Sequence, residues 1–240
     1  MKTIPARSLL CLLACLCGSF SLSYSQAANV STPASPAIVR AGGLSFTLPP
    51  PSNDLVEAGP DYRVVLEPLA PVNNRLIAAF VMPEVMSVLR TGGFPPLHEY
   101  ALVEVPRRAE FADVTPELFA QITGAMKTQL AGEINGTLQE QQDEVNRRLK
   151  NLGSTNSVSL QNPVQLGEFF SKPNAAAFGM IMPVSSKDRT VKMAMSAGVL
   201  RVHNRVLVAY IFSEYKDQNT ISQSRAMSEQ WADSILKANP

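Results

Sequence analysis

The apolar residues of segment 205–215 (RVLVAYIFSEY) constrain the fold more than any other feature of this chain. A strand alternates its side chains between two faces. One face of this strand would carry Val206, Val208, Tyr210 and Phe212, and the other Leu207, Ala209 and Ile211. A strand that is apolar on both faces must be covered on both faces. The chain therefore needs a central sheet with helices or another layer on each side.

Other segments supply partners for this strand. Alternating or β-branched runs predict strands at 44–48, 62–66, 75–82, 98–105, 164–170, 176–182 and 190–202. His203-Asn204 predicts a two-residue hairpin turn, because asparagine tolerates a positive φ. The last segment, 219–237, predicts a helix that Trp231 anchors to the sheet. The fold class is α/β (α+β), with a central, mostly antiparallel sheet covered by helices on both faces.

One long helix over 115–152 is predicted between the two strand-rich halves. Thr115 and Pro116 are typical of a helix start, and Gly153 of a helix end. An apolar row recurs every four residues: Leu118, Ile122, Met126, Leu130, Ile134 and Leu138. A four-residue step drifts about 40° past a full turn. We therefore expect the helix to bend near Gly132 and Gly136, or to pack on different neighbours at its two ends.

A second row on the same helix is small throughout: Ala120, Gly124, Thr128, Gly132 and Gly136. Glycine inside a helix costs about 1 kcal/mol relative to alanine. The simplest reason for the row is close approach of the helix to the sheet. The alternative is a seam for a partner helix or for self-association, formed by Gly124, Thr128, Gly132 and Gly136.

The first 28 residues have the pattern that is typical of a secretory signal peptide. Lys2 and Arg7 precede an apolar run, and small residues follow at 27–28. We expect a signal peptide at 1–28, a flexible tether at 29–41 and a single α/β sandwich domain at 42–240, with a periplasmic or secreted location. The alternative is lipidation at Cys15 and a membrane-anchored lipoprotein. In either case the folded domain holds no cysteine, so it has no disulfide and no thiolate site.

The net charge argues against nucleic-acid binding, and the sequence motifs identify no catalytic reaction. Loss of Lys2 and Arg7 takes the 21 Lys and Arg residues to 19 against 20 Asp and Glu residues, so nucleic acid is not an expected partner. His98 and His203 have no acid or second histidine at metal-ligand spacing. There is no nucleophile elbow, phosphate loop or His-Glu-x-x-His motif. No catalytic residue and no cofactor is assigned.

Four methionines form the one constellation that suits a metal. Met180 and Met182 share a face of one predicted strand, and Met193 and Met195 share a face of the next. Thioethers select Cu(I), so these four residues are the candidate metal site. The alternative is that flexible methionines fill the core beneath a helix.

Three segments give the chain a family resemblance. GLSFTLPPP, GVLRVHNRVLVAYIFSEY and MSEQWADSIL are similar to segments of exported bacterial proteins of the Mog1/PsbP-like group. The resemblance implies an antiparallel sheet between helices and a binding or accessory role, and it implies no site residues.

The expected function is that of an exported, non-enzymatic binding or accessory protein that contacts a protein partner or a small ligand. One alternative is an exported hydrolase whose catalytic residues are scattered along the chain and include His98. A further alternative is a periplasmic Cu(I)-binding protein that uses the paired methionines.

Overall fold

The structure, a computed structural model, describes residues 35–60, 66–67, 70–71, 73–90, 98–130, 135–151, 158–186 and 189–240. Its strands are β1 (Ala37–Ala41), β2 (Leu44–Leu48), β3 (Val56–Glu57), β4 (Asn74–Val81), β5 (Glu99–Pro106), β6 (Val158–Leu160), β7 (Val164–Lys172), β8 (Ala175–Ser186), β9 (Arg189–Val202) and β10 (Arg205–Glu214). The helices it describes are α1 (Pro83–Arg90), α2 (Pro116–Leu130), α3 (Asn135–Asn151) and α4 (Gln218–Ala238).

One antiparallel sheet organises the molecule. Its strand order is β3-β4-β5-β10-β9-β8-β6, and β7 pairs with β8 beside β6. β10 lies inside this sheet between β5 and β9. β1 and β2 form a separate hairpin. The residues on one face of β10 belong to one buried cluster and those on the other face to a second, which confirms that this strand is covered on both faces.

We call the side of the sheet under α2 and α3 the methionine face. Its sheet residues include Phe178, Met180, Met182, Met193, Met195, Tyr100 and Phe212. Phe119 and Met126 of α2 and Val145 of α3 belong to the same buried cluster. The rings of Tyr100 and Phe212 stack with their centroids 4.4 Å apart. This face is therefore closed by apolar contact.

We call the opposite side, under α4 and the β1–β2 hairpin, the tryptophan face. Trp231 is 2% exposed and its indole Nε1 donates to the carbonyl oxygen of Pro49 at 2.7 Å. Asn239, near the end of α4, bonds the backbone N–H and carbonyl of Thr47 at 2.8 and 2.7 Å. α4 begins at a capping box, in which the Asp217 side chain accepts from the backbone N–H of Thr220. Both ends of this helix are thus tied by polar contacts.

β7 is irregular where it pairs with β8. The register shifts between Gln165 and Gly167 and again between Glu168 and Phe170, and Gly167 has a φ of +79°. The ring of Phe169 lies where a Cβ at Gly179 would be, 2.0 Å from the nearest ring atom. Glycine at 179 therefore leaves the space that the tip of this aromatic ring occupies against the sheet.

Most predicted elements of the carboxyl half are confirmed within a few residues. β7, β8, β9, β10 and α4 lie where the sequence predicts them. His203 and Asn204 have φ values of 48° and 57°, as the predicted hairpin turn requires. The predicted strand at 62–66 lies outside the described residues except for Leu66, which is helical.

One prediction is corrected. Part of the predicted tether, Ala37–Ala41, is strand β1, because Ala37, Val39 and Ala41 bury one face against the core. The predicted helix over 115–152 is helical at Pro116–Leu130 and at Asn135–Asn151, and the expected bend near Gly132 stays a prediction because 131–134 lie outside the described residues. The predicted leader at 1–28 and the lipid site at Cys15 also lie outside the described residues.

Candidate functional site

A cleft of about 390 Å³ opens where β4, β5 and β10 end beside the first turns of α4. We call it the strand-end cleft. The sheet supplies Met82, His98, Glu99, Ser213 and Glu214 to its lining. Glu99 of β5 pairs with Ser213 of β10 in the strand register, so their side chains share a face and point toward α4.

The helix wall of the strand-end cleft contains a buried polar atom without a partner. This wall is formed by Thr220, Gln223, Ser224 and Met227. Ser224 is 2% exposed, and among the described residues its hydroxyl oxygen has no hydrogen-bond partner. The hydroxyl of Thr220 is already used, because it accepts from the backbone N–H of Lys216 at 3.3 Å. Ser224 therefore retains unused hydrogen-bonding capacity beside the cleft.

Glu99 and Lys216 place opposite charges in the cleft. Burial raises the pKa of Glu99 above its ordinary value, the carboxylate of Asp54 raises it further, and the ammonium of Lys216 lowers it. Within the described part of the chain, neither side chain makes a hydrogen bond or an ion pair within 4 Å. Glu99 is thus a half-buried carboxyl that has the ammonium of Lys216 nearby but forms no ion pair with it.

His98 gains a partner that the sequence does not reveal. Its Nδ1 lies 2.7 Å from Oε2 of Glu214, which is 116 residues away in the chain. The backbone N–H of Glu214 also donates to the carbonyl oxygen of His98 at 2.8 Å. This pair lines the strand-end cleft, with 48% of the His98 side chain exposed. The imidazole is therefore oriented through Nδ1, and Nε2 is left for a ligand or a proton.

The methionines that the sequence proposes as a metal site come together. Met180 is directly opposite Met195, and Met182 is directly opposite Met193, in the register of β8 and β9. All four side chains are at most 2% exposed and belong to the apolar cluster of the methionine face. The strand pairing that a four-methionine site requires is therefore present. Copper binding by these residues stays a prediction.

The small-residue row of the long-helix prediction lies on the solvent side of α2. Ala120, Gly124 and Thr128 are exposed, and nothing lies within 4 Å of a Cβ built on Gly124. Close approach to the sheet therefore does not explain Gly124, and that interpretation is wrong there. Gly132 lies outside the described residues and Gly136 lies in α3. A partner seam at these positions stays a prediction.

Glu104 of β5 is a second carboxyl in an unusual environment. It is fully buried on the methionine face, where Nδ2 of the buried Asn74 donates to its Oε2 at 2.8 Å. The other carboxyl oxygen and Oδ1 of Asn74 are both acceptors without a donor among the described residues. Burial raises the pKa of Glu104 to about 8, and Glu67 adds to the rise. Protonation makes one of these acceptors a donor, so the neutral acid suits this site.

In the described ranges, the metal-ligating side chains are scattered and no helix is both long and apolar. Within those ranges, no group of three or more His, Cys, Asp or Glu residues is placed to hold a metal ion. In the same ranges, no helix has the length and apolarity needed to cross a membrane. His203 lies in the β9–β10 turn, with its ring 5.9 Å from that of Phe46 and away from His98's cleft.

Comparison with known proteins finds a resemblance of fold alone. No protein-family model matches the chain, and no curated protein matches it in sequence. Two solved structures are similar to it. A point mutant of the protein Mog1 is 11% identical with a TM-score of 0.32, and the match covers 83% of this chain and 94% of that one. The Saccharomyces cerevisiae Ran-binding protein Mog1p is 10% identical with a TM-score of 0.31, over 83% and 93%. This weak likeness agrees with the predicted Mog1/PsbP-like resemblance.

Proposed function

We propose that this protein binds a small polar ligand in the strand-end cleft and acts as a non-enzymatic accessory protein outside the cytoplasm. The observation that carries the proposal is Ser224, a residue that lines the cleft and whose buried hydroxyl has no hydrogen-bond partner among the described residues. An unsatisfied buried hydroxyl costs about 1 to 3 kcal/mol. A ligand atom in the cleft would supply the missing partner.

The composition of the cleft also supports a small ligand. Its volume of about 390 Å³ lies in the range of small-molecule sites. Met82 and Met227 provide an apolar surface, and flexible thioethers adapt to the shape of a bound molecule. Convergent polar groups beside an apolar wall are typical of a ligand site.

A blocking variant tests this proposal. Gln223 is an exposed residue of α4 that lines the cleft, so Gln223→Trp should fill the cleft without disturbing the core. Gln230→Trp is the matched control, because Gln230 is exposed on the same helix and does not line the cleft. We expect a polar small-molecule library, screened by ligand-observed NMR, to give binders of the wild type and the control that lose at least tenfold affinity in Gln223→Trp. A library without any such binder would contradict the proposal.

The location outside the cytoplasm is supported by the predicted leader alone. Lys2 and Arg7, the apolar run after them and the small residues at 27–28 are typical of an exported precursor. Mass spectrometry of the native product should find a chain that begins after residue 28, or at a lipidated Cys15. An intact Met1 on a protein retained inside the cell would contradict export.

Hydrolysis is a second candidate function, favoured by the contact between His98 and Glu214. A carboxylate at Nδ1 orients an imidazole so that Nε2 can take a proton from water or from a hydroxyl. Among the described residues, no hydroxyl is within hydrogen-bond distance of His98, which places this function second. Hydrolysis of an ester and amide panel should be lost in His98→Asn and retained in His203→Asn. Equal rates in both variants would reject the enzyme.

A further inference from the structure

We propose that the ligand of the strand-end cleft is a small zwitterion of the amino-acid type, whose ammonium group meets Glu99 and whose carboxylate meets Lys216. The inference rests on the proposed function, because it names the ligand class of the same site.

The cleft contains two opposite charges that lack ion-pair partners among the described residues. Glu99 and Lys216 both line the cleft, and neither has an ion-pair partner in the described part of the chain. Their interaction is strong enough to affect the ionisation of Glu99, yet the two charged groups do not touch. A ligand with one positive and one negative group would satisfy both, whereas a ligand with a single charge would leave one unpaired.

Some other polar groups around the cleft that could bind a charged ligand are already engaged. Glu214 is already engaged by His98, and the free backbone amides at the start of α4 are already engaged by Asp217. The backbone N–H groups of Asn219 and Thr220 and the carboxylate of Glu214 therefore already have partners. Glu99 and Lys216 are left as the charged groups that a ligand would meet.

The cleft also has an apolar part that can contact the uncharged portion of a ligand. Met82 and Met227 line the same cleft and suit an apolar side chain of moderate size. The hydroxyl of Ser224, unpartnered within the described residues, can donate to a ligand carboxylate or accept from an ammonium. L-leucine is therefore a suitable probe.

Calorimetry with three related molecules tests the ligand class. L-leucine carries both charges, 3-methylbutan-1-amine lacks the carboxylate, and 4-methylpentanoate lacks the ammonium. We expect L-leucine to bind and each single-charge analogue to bind at least tenfold more weakly. Glu99→Gln and Lys216→Met should each weaken L-leucine at least tenfold. The controls Glu84→Gln and Lys237→Met, at exposed positions outside the cleft, should leave its affinity unchanged.

The outcomes separate this inference from the proposed function. If library compounds bind in a Gln223-dependent manner but L-leucine does not bind, or binds no better than its analogues, the zwitterion is overturned and the ligand site stands. Equal binding of L-leucine by Glu99→Gln and the wild type also overturns it. If neither L-leucine nor any library compound binds, both proposals are overturned.

Discussion

The tryptophan face and the methionine face cover opposite sides of the same sheet, but polar anchors fix the first and soft apolar side chains fill the second. On the tryptophan face, α4 is tied by Trp231 to Pro49 and by Asn239 to Thr47. On the methionine face, thioethers and aromatic rings meet Phe119 and Met126 of α2. Directional bonds specify one arrangement, whereas flexible methionines tolerate several. The strand-end cleft is bordered by the anchored helix, whose position the capping box and Trp231 hold.

The largest effect is expected at Trp231. Trp231→Ala should lower the free energy of unfolding by about 3 to 5 kcal/mol, because it removes a buried aromatic ring and leaves a cavity. Trp231→Phe keeps most of the ring but loses the bond to Pro49, and should cost about 1 to 3 kcal/mol. Urea unfolding followed by circular dichroism measures both. Equal losses in the two variants would show that the polar anchor, and not the ring, holds α4.

The next effect concerns Glu104 and depends on pH. Its pKa is raised from 4.5 to about 8, so protonation favours the folded state. This stability is fully present below pH 4.5, falls as pH rises and is lost by pH 8. The slope of about 1.4 kcal/mol per pH unit gives a loss of about 3 kcal/mol between pH 4.5 and pH 7.

Glu104→Gln is the variant that isolates this effect. The amide can still accept from Asn74 Nδ2 and has a donor of its own, as the protonated acid does, but it does not titrate. We therefore expect the variant to be about 3 kcal/mol more stable than the wild type at pH 7 and nearly equal at pH 4.5. The repulsion between Glu67 and the ionised Glu104 is present only in the wild type, so it is part of the expected difference. A constant difference across this range would contradict the raised pKa.

A smaller effect is expected at the buried hydroxyl pair of the tryptophan face. Ser196 on β9 donates to Ser228 on α4 at 2.7 Å, and both residues are buried. Ser228→Ala leaves the Ser196 hydroxyl without a partner and should cost about 1 to 3 kcal/mol. The double variant with Ser196→Ala should recover part of that loss, since it removes both polar groups. A double variant that loses the sum of two single losses would exclude a coupled pair.

The smallest effect is expected on the methionine face. Met193→Leu keeps the apolar volume, so we expect a loss of less than about 1.5 kcal/mol by the same urea measurement. A matched change on the tryptophan face, Ile235→Met, tests whether the anchored side tolerates less. A larger loss at Met193 than at Ile235 would reverse the comparison between the two faces.

Short sequence patterns predict the turns and helix ends whose conformation depends on residues close together in the chain. Asn204 after His203 specifies the turn between β9 and β10, and Thr115 accepts the backbone N–H of Leu118 at the start of α2, at 3.2 Å. Strand β1 is hidden in the sequence because its alanines and its upstream prolines have the composition of a linker. Composition alone does not show that Val39 and Ala41 face a core.

The residues of the strand-end cleft come together through the pairing of strands that are far apart in the sequence. For that reason the sequence predicts few of them. His98 and Glu214 meet only because β5 and β10 are neighbours in one register. Ser224 sits on the buried stripe of α4, where its missing hydrogen-bond partner becomes visible only in three dimensions. The methionine pairs are visible in the sequence because their alternation along two adjacent strands is a local pattern. The residues that line the strand-end cleft come from separate parts of the chain and share no such local pattern.

The irregular pairing of β7 has a consequence for the behaviour of the protein in solution. Within the described residues this strand pairs with β8 alone, so its other side lies at the rim of the sheet. Its bulges and the left-handed Gly167 interrupt the even spacing of donors and acceptors that a foreign strand would need as a template. We therefore expect these distortions to disfavour the addition of further strands, and hence fibril growth, at high concentration.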